Sequence, residues 1–266
     1  MGLAVRGQLI RLYRRLINGA LRACLNLKYG TEPIPLSKIS LWWGRTWGPD
    51  GLHPMSEQPL KGSSLTNEFL SKALKDEIFN PWSMSPMVLN ILEAHIRNHR
   101  PSRVLELGSG LSTLCLARYM HEAGHGDVEP PLVVSVEQDE RYATLTRQRL
   151  KDFGSDMEAE VIVAPMAPQE IEGHATRCYD LGSTALQKYR GQFDLLVIDG
   201  PSGEPGARFG TLPLARDFLT KGAWFFLDDA ARDSEVGIAQ AWNNMTGVNV
   251  IGLSMVGRGV LIGRVS

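Results

Sequence analysis

From Ser85 to the C-terminus, short apolar runs alternate with helical patterns, and this alternation restricts the fold more than any other feature of the 266-residue chain. Helical periodicity covers 86–99, with Ser85 as N-cap and Pro86 at the first helical position, and then 111–122, 139–152, 208–220 and 232–243. Strand-like runs occupy 103–107, 132–136, 160–164, 193–198 and 222–228. An irregular insert fills 165–192, and two final strands fall near 247–255 and 258–265. Strands separated by helices pair in parallel, because each crossover helix carries the chain back over the sheet. The expected architecture is α/β: a doubly wound, mainly parallel seven-stranded sheet with helices on both faces.

Ligands of such sheets bind outside the carboxyl ends of the strands, so the residues just past each strand are where chemistry is sought. The first strand runs into RVLELGSGLST (103–113), where Gly108 and Gly110 permit a tight bend and close approach of a ligand to the backbone. A dinucleotide fingerprint needs a third small residue three positions after Gly110, where Thr113 stands, and a carboxylate at Glu106 is wrong for cradling a pyrophosphate. A negative charge there suits a positively charged ligand. The second strand ends in Glu137, an acid placed to accept hydrogen bonds from two ribose hydroxyls. Together these ends describe a nucleoside with a cationic tail.

On these residues the chain resembles the class I S-adenosylmethionine-dependent methyltransferases, which are Rossmann-like, from about Ser83 to the C-terminus. The resemblance implies that Glu106, Gly108, Ser109 and Gly110 hold the methionine moiety, with Ser112 at its carboxylate and Thr113 beside it. It implies further that Glu137 is the ribose acid and that Met166 contacts adenine. The segment 83–108 is similar to the small-molecule, catechol-type, metal-dependent O-methyltransferase branch, in which residues like Ser83 to Ser85 approach the cofactor.

The fourth strand delivers Asp199, and the fifth delivers Asp228 and Asp229, so three carboxylates meet at adjacent strand ends. Hard oxygen ligands there suit Mg²⁺, which would acidify and orient an acceptor hydroxyl, and the resemblance implies the same trio. The other reading is that Asp199 contacts cofactor, or serves as the base, while Asp228 or Asp229 caps the following helix. The catalytic assignments are Asp199 and Asp228. Amino-group methyltransferases usually carry Asn or Asp, two prolines and an aromatic after the fourth strand. Here Asp199, Gly200, Pro201 and Ser202 lean instead toward oxygen acceptors. Arg208, just beyond, reads as a surface arginine more readily than as an anion contact. The expected activity is O-methylation of a small-molecule or sugar hydroxyl. An aminopropyl-transferase-like enzyme, gripping a polyamine with the same acids, and a non-catalytic docking module are the alternatives.

Ahead of this domain (83–266) lie a basic helix (1–30) and a Trp- and Pro-rich connector with a short helix (31–82). Leu9, Leu12, Tyr13, Leu16, Ile17, Ala20, Cys24 and Leu27 fall on one helical face, with Arg11, Arg14, Arg15 and Arg22 opposite. The helix suits either an anionic membrane surface or docking on its own domain or on a second subunit, as in a homodimer. Residues 1–31 hold six bases and no acid, leaving 22 bases against 29 acids in the remainder, so the main domain has no footprint for nucleic acid. Cys24, Cys115 and Cys178 lack paired or metal-type spacing, which fits a reducing, cytoplasmic setting. HEAGH (121–125) matches the zinc-protease string, but Gly124 and Gly126 flank the second histidine and end the helix it would need.

Overall fold

A computed structural model describes residues 82–122, 132–203, 206–254 and 258–266. The expectations for residues 1–30 and 31–81, and for the second half of HEAGH, lie outside the described residues.

The chain enters the described region through α1 (Pro86–His99), capped by the Ser85 hydroxyl, which accepts from the Val88 N–H at 3.3 Å. Val88, Leu89, Leu92 and Ile96 form its inner stripe and are fully buried, each contributing about 1.5–3 kcal/mol of hydrophobic stabilisation. It packs on one face of a sheet built from β1 (Val104–Leu107), β2 (Val133–Glu137), β3 (Ala159–Val163), β6 (Phe193–Ile198), β7 (Leu219–Asp228), β8 (Val248–Ser254) and β9 (Val260–Val265). Helix α2 (Leu111–Glu122) follows β1 and α3 (Glu140–Asp152) follows β2. The sheet order is β3-β2-β1-β6-β7-β9-β8, parallel except for β9, which runs antiparallel to both its neighbours. Strands β1 and β2 are buried at every position, as apolar runs covered on both faces must be.

Two expectations need correction. The insert after β3 is not irregular: β4 (Met166–Ile171) and β5 (His174–Tyr179) form an antiparallel hairpin. Glu172 (φ 51°) and Gly173 (φ 75°) make its two-residue turn, the left-handed pair that matches strand twist. The helix expected over 208–220 is instead broken into a 3₁₀ turn at Ala207–Gly210, a short α4 (Thr211–Ala215) and a second 3₁₀ turn at Arg216–Phe218. Leu219, at its expected end, already pairs with Phe193 in the sheet. Helix α5 (Asp233–Asn243) then leads to β8.

Chain direction around the sheet reverses between β1 and β6, which makes their carboxyl ends the switch point. Leu107 is level with Val136 of β2 and Ile198 of β6, and Ile198 is level with Leu227 of β7. Glu137, Gly108, Asp199 and Asp228 therefore occupy the next row, side by side at four adjacent strand ends.

Candidate active site

The turn after β1 is formed by close backbone approach. Gly108 has φ 100°, and a side chain there would meet the Gly200 nitrogen at 2.6 Å. A side chain at Gly200 would in turn strike the Tyr179 hydroxyl and the Gly108 Cα. The carbonyl of Leu107 accepts from both Asp199 N–H (2.9 Å) and Gly200 N–H (2.6 Å), tying the ends of β1 and β6 together. Around Gly110, by contrast, no atom lies within 4 Å of where a side chain would begin. The turn thus leaves open space over Gly110.

Glu106 is fully buried beneath this turn. One carboxylate oxygen accepts from the Thr113 hydroxyl at 2.6 Å, while Oε1 has no hydrogen-bond partner. Burial raises its pKa to about 7, against the lowering influence of the nearby Ser112, Thr113 and Ser135 hydroxyls. Thr113 also accepts from Gly110 N–H at 3.0 Å, so it fixes the turn and the acid at once. Both Ser112 and Thr113 are buried beside Glu106 rather than exposed at the crevice.

Glu137 is engaged at every acceptor position. Its Oε2 accepts from the Ser109 N–H (3.0 Å) and hydroxyl (2.9 Å), and its Oε1 from the N–H groups of Gln138 (2.8 Å) and Asp139 (3.1 Å). Met166 opens β4, half-buried against the core, and pairs across the hairpin with Tyr179. The Ser85 hydroxyl is occupied as the cap of α1.

At the ends of β6 and β7, Asp199, Asp228 and Asp229 each offer an oxygen within 4.8 Å of the others. Burial raises Asp199 to about 6, and Arg208 pulls against that rise; burial, with Asp229 and Asp199 as neighbours, raises Asp228 well above the carboxylate range. One oxygen of Asp228, Oδ2, has no hydrogen-bond partner. Asp229, in the left-handed region at φ 58°, is met by three guanidinium groups. Arg232 reaches it at 2.6 Å, Arg208 at 3.5 Å, and Arg258 closes on its other oxygen. Neither acid caps α5, whose N-cap is Arg232 with no side-chain hydrogen bond.

Arg208 is no surface residue: it is 7% exposed, donates to the Asp228 carbonyl at 2.9 Å and to the Asp199 carbonyl, and pairs with the Asp199 carboxylate at 3.5 Å. Arg232 and Arg258 are site residues that sequence reasoning missed. Arg258 is delivered by the turn before β9, where Ala231 N–H donates to its carbonyl at 3.0 Å and Ala230 N–H to that of Gly259 at 2.9 Å. Gly259 allows the approach, since a side chain there would meet the Ala231 nitrogen at 2.6 Å.

A family model described as a methyltransferase domain matches residues 105–230. Among solved structures, a methyltransferase from Geobacter sulfurreducens is similar at 18% identity and TM-score 0.54, over 87% of this chain and 99% of that one. The O-methyltransferase of Bacillus cereus, solved in complex with S-adenosylhomocysteine, gives 19%, 0.54, 84% and 99%. The O-methyltransferase TomG of Streptomyces achromogenes, involved in tomaymycin synthesis and solved with S-adenosylmethionine, gives 18%, 0.54, 84% and 98%. At these identities the likeness is one of fold. Comparison of the sequence with curated proteins gave no match. Strand order, switch-point turn and structural neighbours agree on a methyltransferase-type fold, and residues 105–230 match the model of a methyltransferase domain.

Proposed function

We propose that the chain transfers a methyl group from S-adenosylmethionine to an oxygen of a small-molecule acceptor. The observation that carries this reading is the unpartnered Glu106 oxygen lying under the open Gly110 turn, one strand from Glu137. A buried carboxylate with a free oxygen is an incomplete site, and an ammonium group completes it with a charge-assisted hydrogen bond. In this reading Glu106 meets the methionine ammonium, and Gly108, Ser109 and Gly110 let the chain pass close to the bound molecule. Ser112 and Thr113 hold Glu106 in place, and Met166 pairs with Tyr179, whose hydroxyl lies against Gly200. Glu137 meets the ribose by exchanging the Ser109 hydroxyl for a ribose hydroxyl.

The cofactor, when bound, supplies a methyl group on a positively charged sulfur. Asp199 is the group at the next strand end, and its raised pKa makes it a better proton acceptor near neutrality than an ordinary carboxylate. Arg208 holds it through both its carbonyl and its carboxylate. Asp228 shares the row and keeps one oxygen free for the acceptor. A polyamine acceptor is disfavoured, because Asp229 is already neutralised by three guanidinium groups.

The loop after β6 supports oxygen over nitrogen, since it lacks the second proline and the aromatic of amino-group enzymes. The test uses methyl-labelled S-adenosylmethionine with acceptor pairs that present a hydroxyl or an amine on one aromatic or sugar scaffold. Label on the hydroxyl members supports the reading, and label confined to the amines overturns it.

A further inference from the structure

The acid trio at the ends of β6 and β7 has the spacing of a divalent-cation site, and the surroundings of Asp229 decide whether it can act as one. Both oxygens of Asp229 face guanidinium groups: Oδ2 faces Arg232 at 2.6 Å and Arg208 at 3.5 Å, and Oδ1, which accepts no hydrogen bond, is ion-paired with Arg258. Arg208 also occupies Asp199 at 3.5 Å, from a buried position fixed by two carbonyls. Three guanidinium groups thus converge on Asp229, and one of them also pairs with Asp199. Mg²⁺ demands oxygen ligands at about 2.0–2.1 Å in near-octahedral order, so a cation on Asp229 Oδ2 would sit within about 6 Å of the nearest Arg232 and Arg208 nitrogens. Two of the three arginines cannot swing far. Arg208 is buried and bonded to the backbone of both strand ends, and the Arg258 turn is pinned to Ala230 and Ala231.

We propose that this cluster is closed to divalent cations: Arg208, Arg232 and Arg258 hold Asp229 in the position a metal would take, and the site works as an arginine–carboxylate clamp without metal. The clamp gives the site the charge neutralisation that a cation would otherwise bring, and it holds Asp199 and Asp228 at a fixed separation. Its consequence for catalysis, methyl transfer that persists in chelator, rests on the function proposed above; the clamp itself does not.

The test is Mn²⁺ binding to the purified full-length chain, read by electron paramagnetic resonance of the free ion with no cofactor or acceptor present. The wild type is expected to leave the Mn²⁺ signal undiminished up to about 1 mM, the weak end of protein cation sites. The double substitution Arg232→Gln with Arg258→Gln removes the two clamp members that reach partly to solvent, and is expected to bind Mn²⁺ at least about 10-fold tighter than the wild type. Circular dichroism confirms its fold, and the single substitution Arg232→Gln provides a milder form of the same test. Stoichiometric binding by the wild type that is lost in Asp199→Asn overturns the proposal, as does a folded double variant with no gain in affinity. Failure of the chain to bind S-adenosylhomocysteine would overturn the proposed function and leave this result unaffected.

Discussion

Ser109 donates twice to one oxygen of Glu137, through its N–H at 3.0 Å and its hydroxyl at 2.9 Å, and so ties the turn after β1 to the end of β2. The same carboxylate accepts from Gln138 and Asp139, which makes it the anchor of two strand ends as well as the ribose contact proposed here. Glu137→Ala is expected to lower stability by about 1.5–3 kcal/mol, the range for hydrogen bonds to a charged group. It should also weaken S-adenosylhomocysteine binding about 10-fold or more. Ser109→Ala removes only one of the four bonds, and about 1 kcal/mol or less is expected to be lost on urea denaturation.

Glu106 makes ligand affinity depend on pH. Its folded pKa, about 7, lies above its ordinary 4.5, so the carboxyl's contribution to stability is full below 4.5 and is lost as pH rises toward 7. Binding of a cationic group has the opposite dependence, because it requires the ionised form. S-adenosylhomocysteine affinity is expected to rise from pH 6 to pH 8 and then level off. Glu106→Gln is expected to flatten that rise and lower affinity at pH 8 by about 10–100-fold, measured calorimetrically.

Arg208 is the buried member of the clamp, and its loss leaves Asp199 and Asp229 without their shared partner. Arg208→Met is expected to cost about 3 kcal/mol or more at pH 8, as breaking a buried ion pair does. The loss should shrink at pH 5, below the raised pKa of Asp199. Equal losses at the two pH values would show that Arg208 acts through packing alone.

His95 supplies an independent check of the sheet's other face. It lies between His99, Trp224 and Phe226, with ring centroids 4.3, 4.9 and 4.9 Å away, and burial, with His99 beside it, lowers its pKa to about 3. A base with a depressed pKa favours folding above its ordinary 6.5, and that contribution fades as pH falls below this value. His95→Phe is expected to improve stability at pH 5, relative to the wild type, by about 1–2 kcal/mol more than at pH 8, read from urea midpoints.

Much of this arrangement was legible in the sequence for a physical reason. Buried parallel strands are mostly apolar on both faces, and a tight strand-to-helix turn demands glycine, so β1, β2, β6 and the Gly108 turn announce themselves. Glu137, Asp199 and Asp228 follow, because a carboxylate that ends an apolar run lies at the carboxyl edge of the sheet. The hairpin Met166–Tyr179 was not legible: its turn is Glu172-Gly173 rather than an Asn-Gly or Asp-Gly pair, and Pro168 interrupts its first strand. The helix expected over 208–220 failed where Pro213 adds no N–H and Leu219 is drawn into the sheet. Arg232 and Arg258 were hidden for a different reason. Their meeting at Asp229 depends on the turn before β9 docking against Ala230 and Ala231, a contact between distant segments that no local pattern carries.

The measurement that bears most directly on the central claim is calorimetric titration of the wild-type chain and Glu106→Gln with S-adenosylhomocysteine at pH 8. One site per wild-type chain, with affinity lowered in the variant, is the expected result. No binding by a folded wild-type chain, or equal binding by both proteins, would contradict the assignment of the Gly108 turn and Glu106 as the cofactor site.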